Sequence, residues 1–353
     1  MGTAAILGLL AVAGGPAGAG GTVAAVSCLP AGTTGLTAAR VLTSGQQLQG
    51  GSIDATGCDL GIFIGPGATG VSVTGVTVTG ANDHGIFVQN ASHVVIADNT
   101  VTANGVSPHS TIAENKGIEL AGTSYSIVRG NVVTGNRADG GIGVADDGPR
   151  DPGAPAGGPL SPAIGNTVVG NEIQGNLFGC GIVVAAYNPG AGVWDNTVVG
   201  NVVGGNPGVF PPVVGGIVVA ADPPFTSAGG NSVVHNTITN SLIPGIVVHS
   251  NAPGDVVTGT TISANTLSED GWGRTDGPAA MVGVIIATGV FPAGVPAATL
   301  SGTTVSGNKI AASEGIGVCN STTATGTVVG GLPLDHATTP VMHSPDCNPP
   351  AVP

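Results

Sequence analysis

Residues 93–104 read HVVIADNTVTAN, and their core is an aliphatic residue, two spacers, Asn99, one spacer and a second aliphatic residue. The pattern returns around Asn131, Asn171, Asn201, Asn236, Asn265 and Asn308. Three residues before each Asn stands Ile96, Val128, Val168, Val198, Val233, Ile262 or Val305. Two residues after stands Val101, Val133, Ile173, Val203, Ile238, Leu267 or Ile310. An earlier copy, Val73 to Val78, keeps both aliphatics with Val76 in the Asn slot, and a second Asn column follows five residues on at Asn104, Asn136, Asn176 and Asn206. A second element alternates strictly with the first: Gly followed by alternating aliphatics, as in Gly85-Ile86-Phe87-Val88, Gly117-Ile118-Glu119-Leu120 and Gly245-Ile246-Val247-Val248.

The shortest repeat, Val76 to Asn99, is 23 residues, and no stretch carries a helical period. β-branched residues dominate the apolar positions, which suits strands. Three short strands per period in the twenties predict an all-β solenoid: a parallel β-helix of about nine rungs, stacked about 4.8 Å apart so that equivalent side chains form ladders. Stacked Asn side chains can then bond from rung to rung at a turn. Longer repeats carry insertions, expected after the Gly-Ile strand at 145–165, 186–195, 220–230, 249–259 and 287–302, and after the Asn strand at 105–115, 206–214 and 268–281.

Composition narrows the partners. Lys+Arg number 7 against 20 Asp+Glu, a net charge of −13, which repels phosphate backbones and argues against nucleic acid. Gly 63 and Pro 26 would fit disorder, but a disordered chain has no reason to hold Val and Ile in phase. Residues 1–19 read as a signal peptide: Ala4–Ala13 is apolar but too short to span a bilayer, and Ala17-Gly18-Ala19 offers a small-residue cleavage site. Residues 20–60 read as an N-terminal lead-in and cap, 61–320 as the solenoid and 321–353 as a capping tail. Export permits disulfides. The economical pairing joins Cys28 to Cys58 and Cys319 to Cys347, each closing about one repeat at an end, and leaves Cys180 alone; spacing does not by itself fix connectivity.

Cys28 and the stretch Asp54-Ala55-Thr56-Gly57-Cys58-Asp59-Leu60-Gly61-Ile62-Phe63-Ile64-Gly65, followed by the Asn-x-aliphatic repeats, resemble the secreted right-handed parallel β-helix proteins, the pectate-lyase-like superfamily with its NosD-type repeat members. The resemblance covers about residues 28–320 and implies right-handed coiling. That superfamily holds lyases, hydrolases, epimerases, adhesins and proteins of no known activity, so the resemblance is specific for fold and does not select among these activities. Ser107-Pro108-His109 resembles the Asp-Pro-His motif of β-helix alginate epimerases, with Ser107 in place of Asp.

Several residues could carry chemistry. Asp59, Asp83, Asn115 and Asp139 fall at the turn before successive Gly-Ile strands, where stacked carboxylates repel unless solvated, protonated or bridged by a cation; calcium is the natural candidate, with Asp59, Asp83 and Asp139 as ligands. An Asx turn that merely tolerates acid is the plainer reading. Glu119 is an acid in an outward stripe otherwise filled by Phe63, Phe87, Val183, Val218, Val247 and Ile285, so it is the candidate general acid or base, with Asp83 assisting and Arg137 or Lys116 stabilising negative charge. That stripe would be an exposed apolar band unless the insertions cover it. His84 and Asp139 join as substrate-binding candidates, as do Trp272 and Arg274, where an aromatic face and charged groups sit in one insertion. Asp146, Asp147, Arg150 and Asp151 cluster in another. The expected function is a secreted or cell-surface protein that binds or processes an extracellular polysaccharide along its flank. The rival is a non-catalytic structural or adhesive protein. An enzyme needs Asp83, Glu119, Arg137 and Asp139 to converge in an open cleft; a structural protein leaves them dispersed, paired or covered. Oligomeric state is not legible.

Overall fold

Each aliphatic pair around an Asn becomes the inward centre of two three-residue strands. Val95–Ala97 buries Ile96, and Thr100–Thr102 buries Val101 while Thr100 and Thr102 stay half-exposed. The corner between them needs one residue in the left-handed region, immediately before the Asn. Gly130 (φ 63°) and Gly170 (φ 63°) fill it at no steric cost, whereas Asp98 (φ 56°) and Ala264 (φ 55°) adopt it with a side chain. A computed structural model describes residues 27–32, 34–105, 115–137, 140–150, 159–177, 179–205, 215–239, 244–268, 282–311, 316–331, 334–335, 339–344 and 347.

The strands assemble into a 12-stranded sheet A, 10-stranded sheets B and C, and a 5-stranded sheet D. A coil runs from sheet A through sheet B to sheet C and re-enters sheet A one rung on, so the 10 strands of B and C correspond to ten coils. Among the described strands pairing is parallel except for Leu29–Pro30, which lies antiparallel to Thr37–Leu42; an isolated antiparallel bridge joins Asp147 to Ser161. The coil beyond the expected nine is Thr37–Leu42, Gln47–Gln49 and Ser52–Asp54, inside the stretch read as a lead-in. Its sheet-A strand, TAARVL, lacks the Gly-aliphatic signature, yet Arg40 pairs with Ile62 and Leu48 with Val73 in register.

Sheet D corrects the reading of the insertions after the Gly-Ile strand. Five of them end in an added strand: Ala163–Ile164, Val193–Trp194, Ser227–Gly229, Val256–Thr258 and Thr299–Ser301. Each of these strands carries one inward residue, from Ala163 and Val193 to Leu300, that extends the interior ladder.

Inside the coils the Asn ladder is fully bonded. Asn131 Oδ1 accepts the backbone N–H (3.0 Å) and the side-chain amide (2.9 Å) of Asn99, and its own amide donates to Ile96 O at 3.0 Å. The same set repeats up to Asn308, which accepts from the Asn265 amide at 2.8 Å. Buried amides are tolerated here because every donor and acceptor is met. The second ladder joins Asn104, Asn136 and Asn176; Asn206 lies outside the described residues. A third, absent from the sequence reading, joins Asn166, Asn196 and Asn231, five residues before the first. The five-residue spacing Asn166–Asn171–Asn176 was its signal.

Cys28 bonds Cys58 and Cys319 bonds Cys347, while Cys180 is buried and joins neither disulfide. From Leu60–Ile64 to Ile316–Asn320, sheet A is buried on both faces. Its inner face joins the interior core; its outer face holds Val183, Val218, Val247 and Ile285 in one cluster and Leu60, Phe63 and Phe87 in another. The apolar stripe is therefore covered within the chain, none of these residues being more than 7% exposed. Sheets B and C instead present short hydroxyl side chains outward, such as Ser72, Thr77 and Thr237, alternating with the buried aliphatics. Among the described residues no helix is long and apolar enough to cross a membrane.

Candidate functional site

Lys116 and Glu119 share the outer face of sheet A although three positions separate them. Pairing joins Lys116 to Gly140 and then Ile118 to Ile142, passing over Gly117. A Cβ on Gly117 would meet Val133 at 2.5 Å and the Asn136 amide at 2.9 Å, so Gly117 faces inward like Ile118 beside it. Two successive inward positions reset the alternation. Both polar side chains then lean over the next strand, where glycine leaves room. A Cβ on Gly140 would meet the Lys116 stem at 3.0 Å, and one on Gly143 would fall on the Glu119 carboxylate. Lys116 and Glu119 are each only 2% exposed.

One rung back, the His84 ring stacks on Phe87 at 4.9 Å, and Phe87 lies 5.9 Å from Phe63. His84 Nδ1 accepts the backbone N–H of Lys116 at 3.0 Å, which places the proton of a neutral ring on Nε2. The Asn115 amide donates to Asp83 Oδ1 at 3.5 Å. Asp83, His84, Lys116 and Glu119 are thus brought to two adjacent rungs, and all are buried. Arg137 is exposed, with its backbone N–H on Asn104 O at 2.8 Å. Asp139, Trp272, Arg274, Asp151 and the stretch 107–109 lie outside the described residues. Asp59 Oδ2 accepts the Thr37 N–H at 2.8 Å and the Thr37 hydroxyl at 2.7 Å, a turn-stabilising use of that carboxylate. Among the described residues no three of His, Cys, Asp and Glu gather as a metal-binding group.

Asp146 and Asp147 are fully buried and bonded to the fold. Asp146 accepts backbone N–H groups from Tyr187 (2.8 Å), Asn188 (3.1 Å) and Gly192 (2.8 Å) on the next coil; burial pushes its carboxyl above the ordinary range while those bonds pull it back. Asp147 accepts from the Gln89 amide at 3.1 Å and the Asn90 amide, reaching two coils back across Gly122, and burial raises its pKa as well. They stitch coils together rather than face a loop-lined groove.

The open flank runs along sheet D, with Tyr125 and Trp194 where it meets sheet B and Phe225 where the chain enters it from sheet A. Ser92 bridges Ser124, which puts His93 and Tyr125 in one column, ring centroids 5.8 Å apart. Tyr125 is 56% exposed and Phe225 57%. Both rings, and the half-buried Trp194, rest over a glycine of the following coil. A Cβ would meet Tyr125 at 2.9 Å from Gly165, Trp194 at 2.6 Å from Gly229 and Phe225 at 2.5 Å from Gly254. The sequence reading singled out none of these three aromatics. Its missed signal was the slot: His93 and Tyr125 each stand six residues before their Asn, where later repeats carry Gly165 and Gly230.

The family described as the right-handed β-helix region matches residues 56–330. The chain belongs to that family. No curated protein matches it in sequence. Among solved structures this right-handed β-helix resembles PfbA, a surface adhesin of Streptococcus pneumoniae, at TM-score 0.56 and 11% identity over 83% of this chain and 70% of that one. It resembles the Dettilon tailspike protein at 0.58 and 17% over 87% and 55%. It also resembles the mannuronan C-5 epimerase AlgE4 A-module of Azotobacter vinelandii at 0.50 and 14% over 86% and 84%. At these identities the likeness is one of fold, and fold does not carry activity.

Proposed function

We propose that this β-helix is an extracellular protein that binds a polysaccharide along its open flank. The observation that carries the reading is the set of aromatic rings Tyr125, Trp194 and Phe225, each seated on a glycine, with Tyr125 and Phe225 more than half exposed. A chain with 6 Phe, 2 Tyr and 2 Trp in 353 residues has few rings to leave in water. An adhesin and a tailspike among the structural neighbours, and two disulfides of the kind oxidising compartments favour, support it.

Processing is the second reading, favoured by one observation: Asp83, His84, Lys116 and Glu119 converge on adjacent rungs, and ionisable groups in such settings are functional-site candidates. In it Glu119 is the acid or base, Asp83 assists, Lys116 or Arg137 stabilises charge, and calcium enters through Asp59, Asp83 and Asp139. The cover over Glu119 and the exposed position of Arg137 weigh against it. A panel of polysaccharides with and without calcium, read for retention of the protein, new reducing ends and unsaturated products, separates the two. Retention without product is expected. Product formation abolished by Glu119→Gln would overturn the binding reading in favour of the buried group.

A further inference from the structure

We infer that five consecutive coils of sheet B form an ice-binding face, a role that goes beyond the polysaccharide reading and does not depend on it. The strands Thr167–Val169, Thr197–Val199, Ser232–Val234, Thr261–Ser263 and Thr304–Ser306 stack in unbroken parallel register. Each buries its middle residue and leaves the two flanking residues half-exposed. One outward column is therefore Thr167, Thr197, Ser232, Thr261 and Thr304, a hydroxyl on every rung. The other is Val169, Val199, Val234, Ser263 and Ser306. None of these side chains is charged, and among the described residues their hydroxyls bond no other group of the chain. The array is bounded. One coil earlier sheet B presents Ile127 and Arg129, one coil later it presents Val328, and on the same coils sheet C presents Glu172, Val202 and Lys309.

The borders of the face keep it flat. Each strand lies between two corner residues in the left-handed region. Glycine fills those corners except at Asp195 on the sheet D side and at His235 and Ala264 on the sheet C side. The Asp195 carboxylate leans along its corner, over Gly230 of the following coil. A planar partner can therefore reach the outward side chains from above. A protein or a single glycan chain finds little to hold there, since the array carries no charge and no aromatic anchor. Five rungs of three residues span about 19 Å by 10 Å, roughly 200 Å², against about 800 Å² per partner in a stable protein pair. What the face offers is spacing. Its groups stand about 4.8 Å apart from rung to rung and about 6.6 Å apart along a strand. Oxygen atoms on a prism face of ice repeat on a grid of similar dimensions, and liquid water has no such grid. Thr and Val are stiff at χ1, so the array exists before contact and loses little side-chain freedom on it. The hydroxyls can bond lattice water while the methyl groups occupy the hollows between oxygens. An uncharged face suits an uncharged solid.

The test uses the intact chain carrying a fluorescent label, with circular dichroism confirming that each variant keeps the parent's fold. An ice front advancing slowly through the solution is expected to take the chain in, whereas a protein without affinity is pushed ahead of it. Recrystallisation of fine-grained ice should slow in its presence. Ser232→Tyr raises a ring at the centre of the face and should lower incorporation at least about tenfold. Thr197→Val keeps the side chain's shape, removes one hydroxyl and should lower it about twofold. Thr237→Tyr places the same ring at a half-exposed position on sheet C of the same coil and should leave incorporation unchanged. Exclusion of the parent chain from ice overturns the inference. Equal losses in Ser232→Tyr and Thr237→Tyr, or no loss in either, overturn the assignment to sheet B. If ice excludes the chain, dimers in sedimentation that Ser232→Tyr abolishes assign the face to a second copy instead, and glycan retention lost in Ser232→Tyr assigns it to the polysaccharide.

Discussion

The outer face of sheet A and the flank along sheet D are both places where this solenoid directs side chains away from its core, and they have opposite fates. On sheet A, Phe63, Phe87, Val183 and Val247 are no more than 7% exposed, and polar residues there are enclosed with them. Along sheet D, Tyr125 and Phe225 stand more than half in water, each over a glycine of the following coil. The difference teaches that outward direction on a β-rung does not mean exposure. On sheet A the outward side chains join clusters of their own and become core. A ring on the other flank has only the coil beneath it.

The same substitution at both places gives the sharpest contrast. Phe87 is fully buried between Phe63 and His84, so Phe87→Ala should cost about 3–5 kcal/mol through lost burial and a cavity. Phe225→Ala, at 57% exposure, should change stability by about 0.5 kcal/mol or less while weakening glycan binding. Urea unfolding of the two variants beside the parent checks it. Equal losses would mean that the flank is packed like the closed face.

Titration offers the next contrast, because the two regions respond to pH with opposite sign. His249 sits on the closed face between Ala220 and Ala287, its Nδ1 without a hydrogen-bond partner, and burial lowers its pKa from 6.5 to about 4. The fold holds it neutral. Its contribution is therefore complete above pH 6.5 and lost as pH falls toward 4. Asp255 lies behind the flank, accepting the N–H of Ala252 (2.8 Å) and of Thr226 (3.2 Å) next to Phe225, and burial lifts its pKa from 3.8 to about 7. Its contribution is complete below pH 3.8 and lost as pH rises through 7. Subtracting the stability curve of His249→Ala from the parent's should give a difference that falls by about 3 kcal/mol on going from pH 6.5 to 4. The corresponding subtraction for Asp255→Asn should fall in the other direction. A flat difference curve for either variant would show that its group does not titrate differently in the folded chain.

A smaller effect tests how the closed face accommodates its charges. Gly143 leaves the room into which Glu119 leans, and the equivalent position on the next coil is Val183. Gly143→Val would impose the neighbour's residue and force the Glu119 carboxylate aside, at about 1–3 kcal/mol by thermal or denaturant unfolding. A neutral result would mean that Glu119 has other space on this face.

Sequence made most of the solenoid legible because each rung repeats one physical requirement. An aliphatic residue must point inward on either side of a corner Asn, and any one copy of the pattern teaches the rest. The exceptions are local. Thr37–Leu42 was read as lead-in because it lacks the glycine, although its side chains satisfy the same ladder. Sheet D was read as loop because Val193–Trp194 and its partners are too short to show alternation. Of the candidate site, the convergence of His84, Lys116 and Glu119 was legible from register, since equivalent residues stack. Their burial was not, because it depends on what other segments of the chain cover. Asp146 and Asp147 read as a cluster in an insertion because nothing local shows that three backbone N–H groups of the next coil await one of them. The aromatic flank was missed for a related reason. Its rings come from different slots, and only the coil brings Tyr125, Trp194 and Phe225 to one side.

The smallest expected effect is at Arg129, and it separates charge from packing. Arg129 and Asp98 are 52% and 56% exposed, and their closest approach is 3.6 Å. In water such a pair contributes little, so Arg129→Gln should shift stability by less than about 0.5 kcal/mol. It removes the positive charge at the corner of sheets B and C, across the sheet B strands from His93 and Tyr125, and leaves Asp98 uncompensated. A neutral glycan has no charge to respond, so its affinity should be unchanged. Any residual affinity for pectate or alginate should fall further at low salt and recover as salt screens Asp98. Loss of neutral-glycan binding in Arg129→Gln would instead make the guanidinium a direct contact and move the flank's recognition from its rings toward its charges.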